Sequence, residues 1–132
     1  MKIFVSGPMT GLPNSNREAF NTVASELKTS GHIVLNPAVH PDGLQHAEYM
    51  HMCYAMIDVA DAICLLKDWD KSKGSRLEIF YAARKGKMFT DDGKSFDKMV
   101  FELGECAGKT IYSRIRRIAV KAEAQTKPED DE

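Results

Sequence analysis

A polar loop and the helix predicted to follow it, within residues 68–87, carry the side chains best suited to chemistry. Ser72, Gly74 and Ser75 stand at the predicted start of the helix, and Glu78 follows in about its first turn. Hydroxyl groups and free backbone N–H groups at a helix N-terminus favour an anion. The segment therefore predicts a phosphate-binding loop with a carboxylate beside it. The alternative is that Glu78 only complements the helix dipole.

A second candidate element is the Gly/Pro-rich loop that follows the apolar run at residues 3–5. The loop has about ten residues, which is longer than most strand-to-helix connections. It matches neither GxGxxG nor the P-loop pattern, so neither of those two nucleotide folds is expected. Its glycines allow the backbone to approach a ligand closely, and a plain connector is the alternative. The candidate binding residues of this loop are Ser6, Gly7, Pro8, Met9 and Gly11.

Histidine and cysteine residues do not form a metal-binding pattern. His40 and His46 stand in one loop without an acidic residue at metal-ligand spacing, so we expect a solvated loop, with metal ligation as the alternative. The three cysteines, Cys53, Cys64 and Cys106, lack CxxC spacing and are odd in number. We therefore expect no metal site, no disulfide and a reducing compartment.

The composition is that of one soluble domain. The chain has 132 residues, of which 43% are hydrophobic and 28% charged, and its formal net charge is −1. Such a balance creates no overall field that would attract nucleic acid. No apolar stretch approaches the ~20 residues of a membrane-spanning helix, and the first apolar run is too short for a signal peptide. We expect a cytoplasmic protein without a membrane partner.

Short apolar runs alternate with helical patterns along the first ninety residues. A capping box, Ser15-x-x-Glu18, predicts the start of the first helix, and a second helix is predicted from about Tyr49 to Asp58. Strands separated by helices in this rhythm indicate repeated βαβ units, right-handed crossovers and a mostly parallel sheet of four or five strands. The predicted strands are residues 3–5, 32–35, 62–66 and 88–90.

The helical period of 3.6 residues also predicts which face of each helix is buried. For the second helix the predicted apolar face is Met52, Ala55, Met56 and Val59. For the helix that carries Glu78 it is Leu77, Phe80, Tyr81 and Arg84, widened by Ile79, Ala82 and Ala83.

Two further helices are predicted beyond the fourth strand. The first is marked by Phe96, Met99, Val100 and Leu103. The second, over residues 109–125, is an amphipathic extension of the domain formed by residues 1–108, and its basic face indicates solvated surface or an oligomer contact, with nucleic acid as the alternative. The acidic tail, residues 126–132, is predicted to be disordered.

Three segments together resemble the nucleoside 2-deoxyribosyltransferase-like superfamily. They are IFVSGPMTGLPN near the amino terminus, VADAI before the third strand, and SKGSRLEIFYAARKGK around Glu78. The similarity is to the DUF4406-type branch, many of whose members are carried by phages, and the superfamily also contains 2′-deoxynucleoside 5′-monophosphate N-glycosidases. The resemblance covers roughly residues 1–90. It implies a flavodoxin-like or Rossmann-like three-layer α/β sandwich.

The resemblance also implies roles for individual residues. Glu78 takes the place of the nucleophile, and Ser72, six residues earlier, takes that of a phosphate-binding serine. The loop from Ser6 to Gly11 lines the sugar and base pocket. The family usually places an aspartate that assists the leaving base where this chain has Cys53, so the catalytic acid is the one position that departs from the pattern.

The chemistry implied is cleavage or transfer at the N-glycosidic bond of a nucleoside or nucleoside 5′-monophosphate. Attack by water would make the protein a hydrolase, and attack by a second base a transferase. The helix N-terminus and Arg76 are expected to keep Glu78 ionised. Because Cys53 replaces an acid, the alternative is a protein that binds or senses nucleotides without turnover.

The same resemblance implies a homo-oligomer, a dimer or tetramer, and no metal or organic cofactor. Flat or polarizable side chains are candidates for stacking on the base, with core or surface packing as the alternative. These side chains are Met9, His46, Tyr49 and Trp69.

Overall fold

Strands and helices alternate along the chain in the computed structural model, which describes residues 1–98. The strands are β1 (Lys2–Ser6), β2 (Ile33–Leu35), β3 (Ala62–Leu65), β4 (Met88–Thr90) and β5 (Asp97–Lys98). The helices are α1 (Arg17–Thr29), α2 (His46–Val59) and α3 (Lys73–Arg84). No helix within this part of the chain is long and apolar enough to cross a membrane.

The described strands form one sheet in the order β2-β1-β3-β4-β5. The first four run parallel, and β5 pairs antiparallel with β4. The prediction of a mostly parallel α/β sheet of four or five strands, flavodoxin-like or Rossmann-like, is therefore confirmed, and the observed strand order is the flavodoxin-like one. In this order the chain leaves β1 toward β2 on one side and returns to β3 on the other, so ligands are expected at the carboxyl ends of β1 and β3.

Helices cover both faces of the sheet. On one face Phe4 and Ile63 pack with side chains of α2 and α3, including Ile57 and Ile79. On the other face Ile3, Val5 and their neighbours pack with Phe20 and Leu27 of α1. Side chains of a strand point alternately to the two faces, so a strand that is buried on both sides reads as a continuous apolar run. The result is the predicted three-layer arrangement.

The predicted buried face of α3 is confirmed at Ile79, Ala82 and Ala83 and is wrong at Leu77. Its buried side chains are Ser75, Glu78, Ile79, Ala82 and Ala83, whereas Leu77 is 40% exposed and Phe80 and Tyr81 are only partly buried. Small residues allow the helix to lie close to the sheet, and the larger aromatic side chains then flank the contact. Compared with the predicted orientation, α3 is turned about its own axis, so that the Glu78 side chain faces the sheet.

The predicted face of α2 is largely wrong, although Met56 packs against the core. Met50, Cys53 and Ile57 are the buried residues of this helix, while Val59 is 54% exposed. The helix begins at His46, three residues earlier than predicted, because the Glu48 carboxylate accepts a hydrogen bond from the backbone N–H of Gln45 at 2.8 Å. The earlier start adds a turn that carries His46 and lengthens the helix toward the carboxyl edge of the sheet.

The capping box predicted at Ser15 and Glu18 does not form. Ser15 lies in the left-handed region with φ of 55°, and α1 begins at Arg17 after Asn16, whose φ is 60°. Asn16 instead donates through Nδ2 to the carbonyl oxygen of Pro8 at 2.9 Å. This hydrogen bond joins the two ends of the first loop, and no side chain caps α1.

The helix predicted to start at Phe96 is contradicted in its first turn, where Asp97–Lys98 form β5. The Asp92 carboxylate accepts from the backbone N–H groups of Lys94 and Ser95, and this turn reverses the chain beside β4. The rest of that helix, Cys106, the amphipathic segment 109–125 and the tail 126–132 lie outside the described residues.

Candidate functional site

Glu78 and Ser6 meet where β1 and α3 come together at the carboxyl edge of the sheet. Ser6 is the last residue of β1, and Glu78 lies in the second turn of α3. The Ser6 hydroxyl donates a hydrogen bond to Glu78 Oε1 at 2.7 Å and lies 3.3 Å from the Ser75 hydroxyl. Both partners are buried, with Ser6 at 0% and Glu78 at 8% exposure. The sheet and the helix thus hold one carboxylate in a defined place.

Burial sets the electrostatics of this carboxylate. Loss of hydration raises the pKa of Glu78 from 4.5 to about 7, and hydrogen bonds from Ser6 and Cys53 partly oppose that rise in pKa. The expected support from Arg76 is wrong, because its guanidinium donates to the carbonyl oxygen of Asp70 at 2.9 Å. Residue 76 points about 200° around the helix from residue 78. Near neutral pH Glu78 is therefore present in both protonation states.

Cys53 reaches the same carboxylate from α2. Its side chain is 4% exposed and hydrogen bonds to Glu78. Burial, followed by the charge of Glu78, raises the pKa of the Cys53 thiol far above its usual range. The thiol is therefore a neutral donor, and it is neither a nucleophile nor a strong acid.

A cavity of about 580 Å³ opens beside these groups. Its walls come from the first loop, from the segment between β2 and the middle of α2, and from the start of α3. Apolar side chains and a few polar groups share the lining, as is usual for small-molecule sites. The lining residues are Gly7, Pro8, Met9, Thr10, Ser15, Arg17, Phe20, Pro37, His40, Asp42, His46, Tyr49, Met50, Cys53, Lys71, Ser72, Lys73, Gly74, Ser75 and Glu78.

Most of the residues singled out in the sequence are brought together here. The cavity is lined by the predicted Gly7, Pro8, Met9, Cys53, Ser72, Gly74, Ser75 and Glu78, and by the stacking candidates Met9, His46 and Tyr49. Ser6 contacts Glu78 without lining the cavity. Gly11 is exposed and lies outside the lining.

Trp69 is placed elsewhere than predicted. Its side chain is 2% exposed and packs in the core with residues of α2 and α3. A short 3-10 turn, Trp69–Lys71, follows β3 and turns the indole inward. Burying so large an aromatic surface stabilises the fold by more than exposure in a ligand loop would. Trp69 therefore anchors the loop after β3 to the hydrophobic core and is not among the residues that line the cavity.

The predicted phosphate-binding loop also contains two lysines that were not predicted as binding residues. Lys71 and Lys73 flank Ser72, and all three line the cavity. The Ser72 hydroxyl accepts from the backbone N–H of Ser75 at 3.2 Å and so caps α3. The Lys-Ser-Lys pattern at a predicted helix start is a signal that could have revealed them.

Arg17 and Asp42 were also passed over, and His40, expected in a solvated loop, is half-buried. Arg17 begins α1, whereas His40 and Asp42 lie in the segment between β2 and α2. Arg17 pairs with Asp42 at 2.7 Å, and burial lowers the pKa of His40. Sequence spacing does not predict this contact, since 25 residues separate the two partners of the ion pair. Within residues 1–98, no cluster of three or more His, Cys, Asp or Glu residues could hold a metal ion.

Residues 1–91 match the model of a protein family described as a domain of unknown function, DUF4406. The chain belongs to this family. The DUF4406 match extends from β1 through β4 and therefore includes every residue that lines the cavity. None of the curated proteins matches the chain.

Among solved structures, this DUF4406 protein is similar to a 2-desoxiribosyltransferase from Leishmania mexicana. The TM-score is 0.55 and the sequence identity is 22%, over 67% of this chain and 61% of that one. The likeness shows a shared fold. The aligned part spans less than two thirds of the Leishmania protein.

Proposed function

We propose that the protein cleaves or transfers at the N-glycosidic bond of a nucleoside 5′-monophosphate, with Glu78 as the nucleophile. The observation that carries the proposal is the buried Glu78 carboxylate, which is oriented by Ser6 and lies beside a cavity of about 580 Å³. The fold similarity to a 2-desoxiribosyltransferase supports the reaction class. A nucleotide-sized ligand fits a cavity of this volume.

The chemistry follows from the charge that develops on the sugar. As the C1′–N bond breaks, its electron pair goes to the base and the sugar becomes oxocarbenium-like. An ionised Glu78 oxygen forms a bond to C1′ and gives a glycosyl ester, while the base nitrogen takes up a proton. Water then attacks C1′ and loses a proton, the bond from C1′ to the Glu78 oxygen breaks, and its electron pair returns to the carboxylate, which completes hydrolysis. A second base that attacks in place of water breaks the same ester bond and completes transfer. Only the ionised form of Glu78 serves as nucleophile.

The cations of the site favour a phosphorylated substrate over a free nucleoside. Lys71 and Lys73 line the cavity at the N-terminus of α3, where the helix dipole also favours an anion. Lys71 forms an exposed ion pair with Asp68 at 3.4 Å, whereas Lys73 has no ion pair with any residue in the range 1–98. The Lys73 ammonium group is therefore available to the phosphate of a substrate.

Cys53 supports a second candidate function, a nucleotide receptor without turnover. Protonation of the leaving base commonly contributes ~10²–10⁴-fold to the rate, and a neutral thiol with a raised pKa is a poor acid. A protein that only binds its ligand does not need this acid. The two functions share one cavity and differ in whether the bond breaks.

The deciding experiment incubates the protein with nucleosides and nucleoside 5′-monophosphates, ribo and deoxy, with and without an acceptor base. Chromatography then measures free base and exchanged product. We expect base release by the wild type, and a loss of roughly 10³-fold or more in Glu78→Gln because the nucleophile is removed. Glu26→Gln, an exposed change on α1, is the matched control and should retain activity.

Binding measurements separate the two functions. Calorimetry that finds equal nucleotide affinity in the wild type and Glu78→Gln, with no turnover in either, would establish the receptor. Cys53→Asp then tests the missing acid, and we expect it to raise base release if protonation limits the reaction. If no member of the panel binds or reacts, both functions are wrong.

A further inference from the structure

Arg17 joins the two loops that leave the carboxyl ends of β1 and β2. Its Nε donates to the carbonyl oxygen of Ala38 at 3.2 Å, and its Nη2 donates to that of His40 at 3.4 Å. Nη1 donates to Asn14 Oδ1 at 3.3 Å, and Nη2 also donates to Asp42 Oδ1 at 2.7 Å. One guanidinium therefore contacts four residues in two loops, and both loops contribute to the cavity lining.

The position of Arg17 in α1 explains this reach. It is the first residue of the helix, and side chains of a helix tilt toward its N-terminus, which here lies at the carboxyl edge of the sheet. The Arg17 side chain is 21% exposed, so most of it lies within the protein. A planar guanidinium presents several donors in fixed directions, which the ammonium group of lysine cannot do.

The backbone carbonyl contacts matter more than the ion pair. The Asp42 side chain is 80% exposed, and ion pairs in solvent contribute little. The bonds to Ala38 and His40, in contrast, hold the main chain on both sides of Val39. His40 itself lines the cavity, so these hydrogen bonds hold this part of the cavity wall in position.

The first loop needs such support because its backbone is strained. Asn14, Ser15 and Asn16 all have positive φ, at 50°, 55° and 60°. Residues other than glycine adopt this conformation in succession only when the surrounding contacts over-determine it. The bonds from Arg17 to Asn14 and from Asn16 to Pro8 are two such contacts.

We infer that Arg17 is a positioning residue that holds the segments 8–16 and 38–42 together and thereby sets the affinity of the cavity for its ligand. The ligand, a nucleoside 5′-monophosphate, rests on the proposed function. The clamp itself rests only on the contacts of Arg17. Its role is distinct from that of Glu78, since Arg17 shapes the wall and Glu78 faces the reacting bond.

The test compares Arg17→Lys with the wild type by two measurements. Hydrogen exchange without ligand should show faster exchange at the His40 amide, which bonds to Pro37 O, while β1 and β3 stay protected. Calorimetry with the four canonical 2′-deoxynucleoside 5′-monophosphates should show affinity about tenfold weaker, because lysine cannot span both carbonyl oxygens. In turnover, KM should rise with kcat nearly unchanged.

Arg84→Lys is the matched control, because Arg84 lies in the last turn of α3, at the opposite end of that helix from the cavity. It should leave both measurements unchanged. Asn14→Gly is a second variant that removes one contact and permits positive φ, and we expect a smaller change in the same direction. It keeps the inference testable if Arg17→Lys fails to fold.

Wild-type exchange and wild-type affinity in Arg17→Lys would overturn the inference. A uniform loss of protection throughout the sheet would also overturn it, since Arg17 would then be needed for the whole fold. If the wild type binds none of the four nucleotides and no ribonucleoside 5′-monophosphate either, the proposed function is wrong, and hydrogen exchange alone still decides whether Arg17 holds the two segments together.

Discussion

Glu78 is held at an intermediate state of ionisation by opposing effects. Burial in a nearly dry position raises its pKa, while donors from β1 and α2 stabilise the charged form. A nucleophilic carboxylate must be charged, and a carboxylate in a strongly desolvated site is reactive because water does not shield it. The proposed nucleophile is therefore ionised only as the pH rises toward and beyond neutrality.

The same pKa predicts how stability depends on pH. The folded chain binds the Glu78 proton more tightly than the unfolded chain, so this group contributes most below its ordinary pKa of 4.5 and its contribution is lost as pH rises through about 7. In Glu78→Gln this dependence is absent. We expect the free energy of unfolding of the wild type, relative to Glu78→Gln, to fall by about 2–3 kcal/mol between about pH 5 and about pH 8.

Urea unfolding of both proteins at the two pH values measures this difference. Glu26→Gln, which changes an exposed carboxylate, is the control and should show no comparable dependence. A difference between wild type and Glu78→Gln that stays constant with pH would show that Glu78 titrates near its ordinary value.

At the scale of elements, the first loop stands out because it stores strain beside the cavity. Three successive residues with positive φ precede α1, and none of them is glycine. Ser15 gains least from this conformation, since asparagine side chains tolerate it better. The strained backbone of this loop therefore lowers the stability of the fold at the place where it forms the cavity wall.

Ser15→Gly should relieve this cost. Glycine adopts positive φ freely, so we expect the free energy of unfolding to rise by roughly 0.5–1 kcal/mol. The greater conformational entropy of glycine in the unfolded chain opposes part of this gain. Ser25→Gly, in the exposed middle of α1, is the matched control and should lower the free energy of unfolding by about 0.5 kcal/mol. Urea midpoints of the two variants give the comparison. A loss of stability in both would mean that the positive φ at Ser15 is not strained.

At the scale of the molecule, the site depends on the close approach of the chain at the ends of β1 and β3. A Cβ atom on Gly7 would lie 2.6 Å from Cβ of Leu66, a distance that packed atoms do not tolerate. Gly7 is therefore required by its neighbour on the adjacent strand end. Its own backbone does not require glycine, since its φ is not positive.

Gly7→Ala should therefore destabilise the protein by about 1–3 kcal/mol through overpacking. Gly74→Ala is the control, because a Cβ atom there has its nearest neighbour at 3.7 Å and alanine favours the helix. A double-mutant cycle with Leu66→Gly should recover part of the loss, since glycine at position 66 removes the Cβ atom that causes the clash, whereas alanine would keep it. Additive losses in the cycle would show that the two residues do not interact.

Local patterns in the chain were sufficient to predict the order of strands and helices, the parallel sheet and the position of Glu78 on a helix after the third strand. Each depends on neighbours within a few residues, such as apolar runs and glycine at a helix end. The gathering of the first loop with Glu78 was implied by the family resemblance, and it agrees with a sheet in which the carboxyl ends of adjacent parallel strands share one edge.

The tertiary structure decided which sides of those elements face inward. Leu77 and Val59 have the apolar character of core residues yet lie exposed, and Trp69 is buried although it stands in a polar loop. The tertiary structure also decided the contacts of Arg17 with two loops and the raised pKa of Glu78, which local sequence patterns did not predict. Burial is a property of several elements packed together, so periodicity within one element cannot specify it.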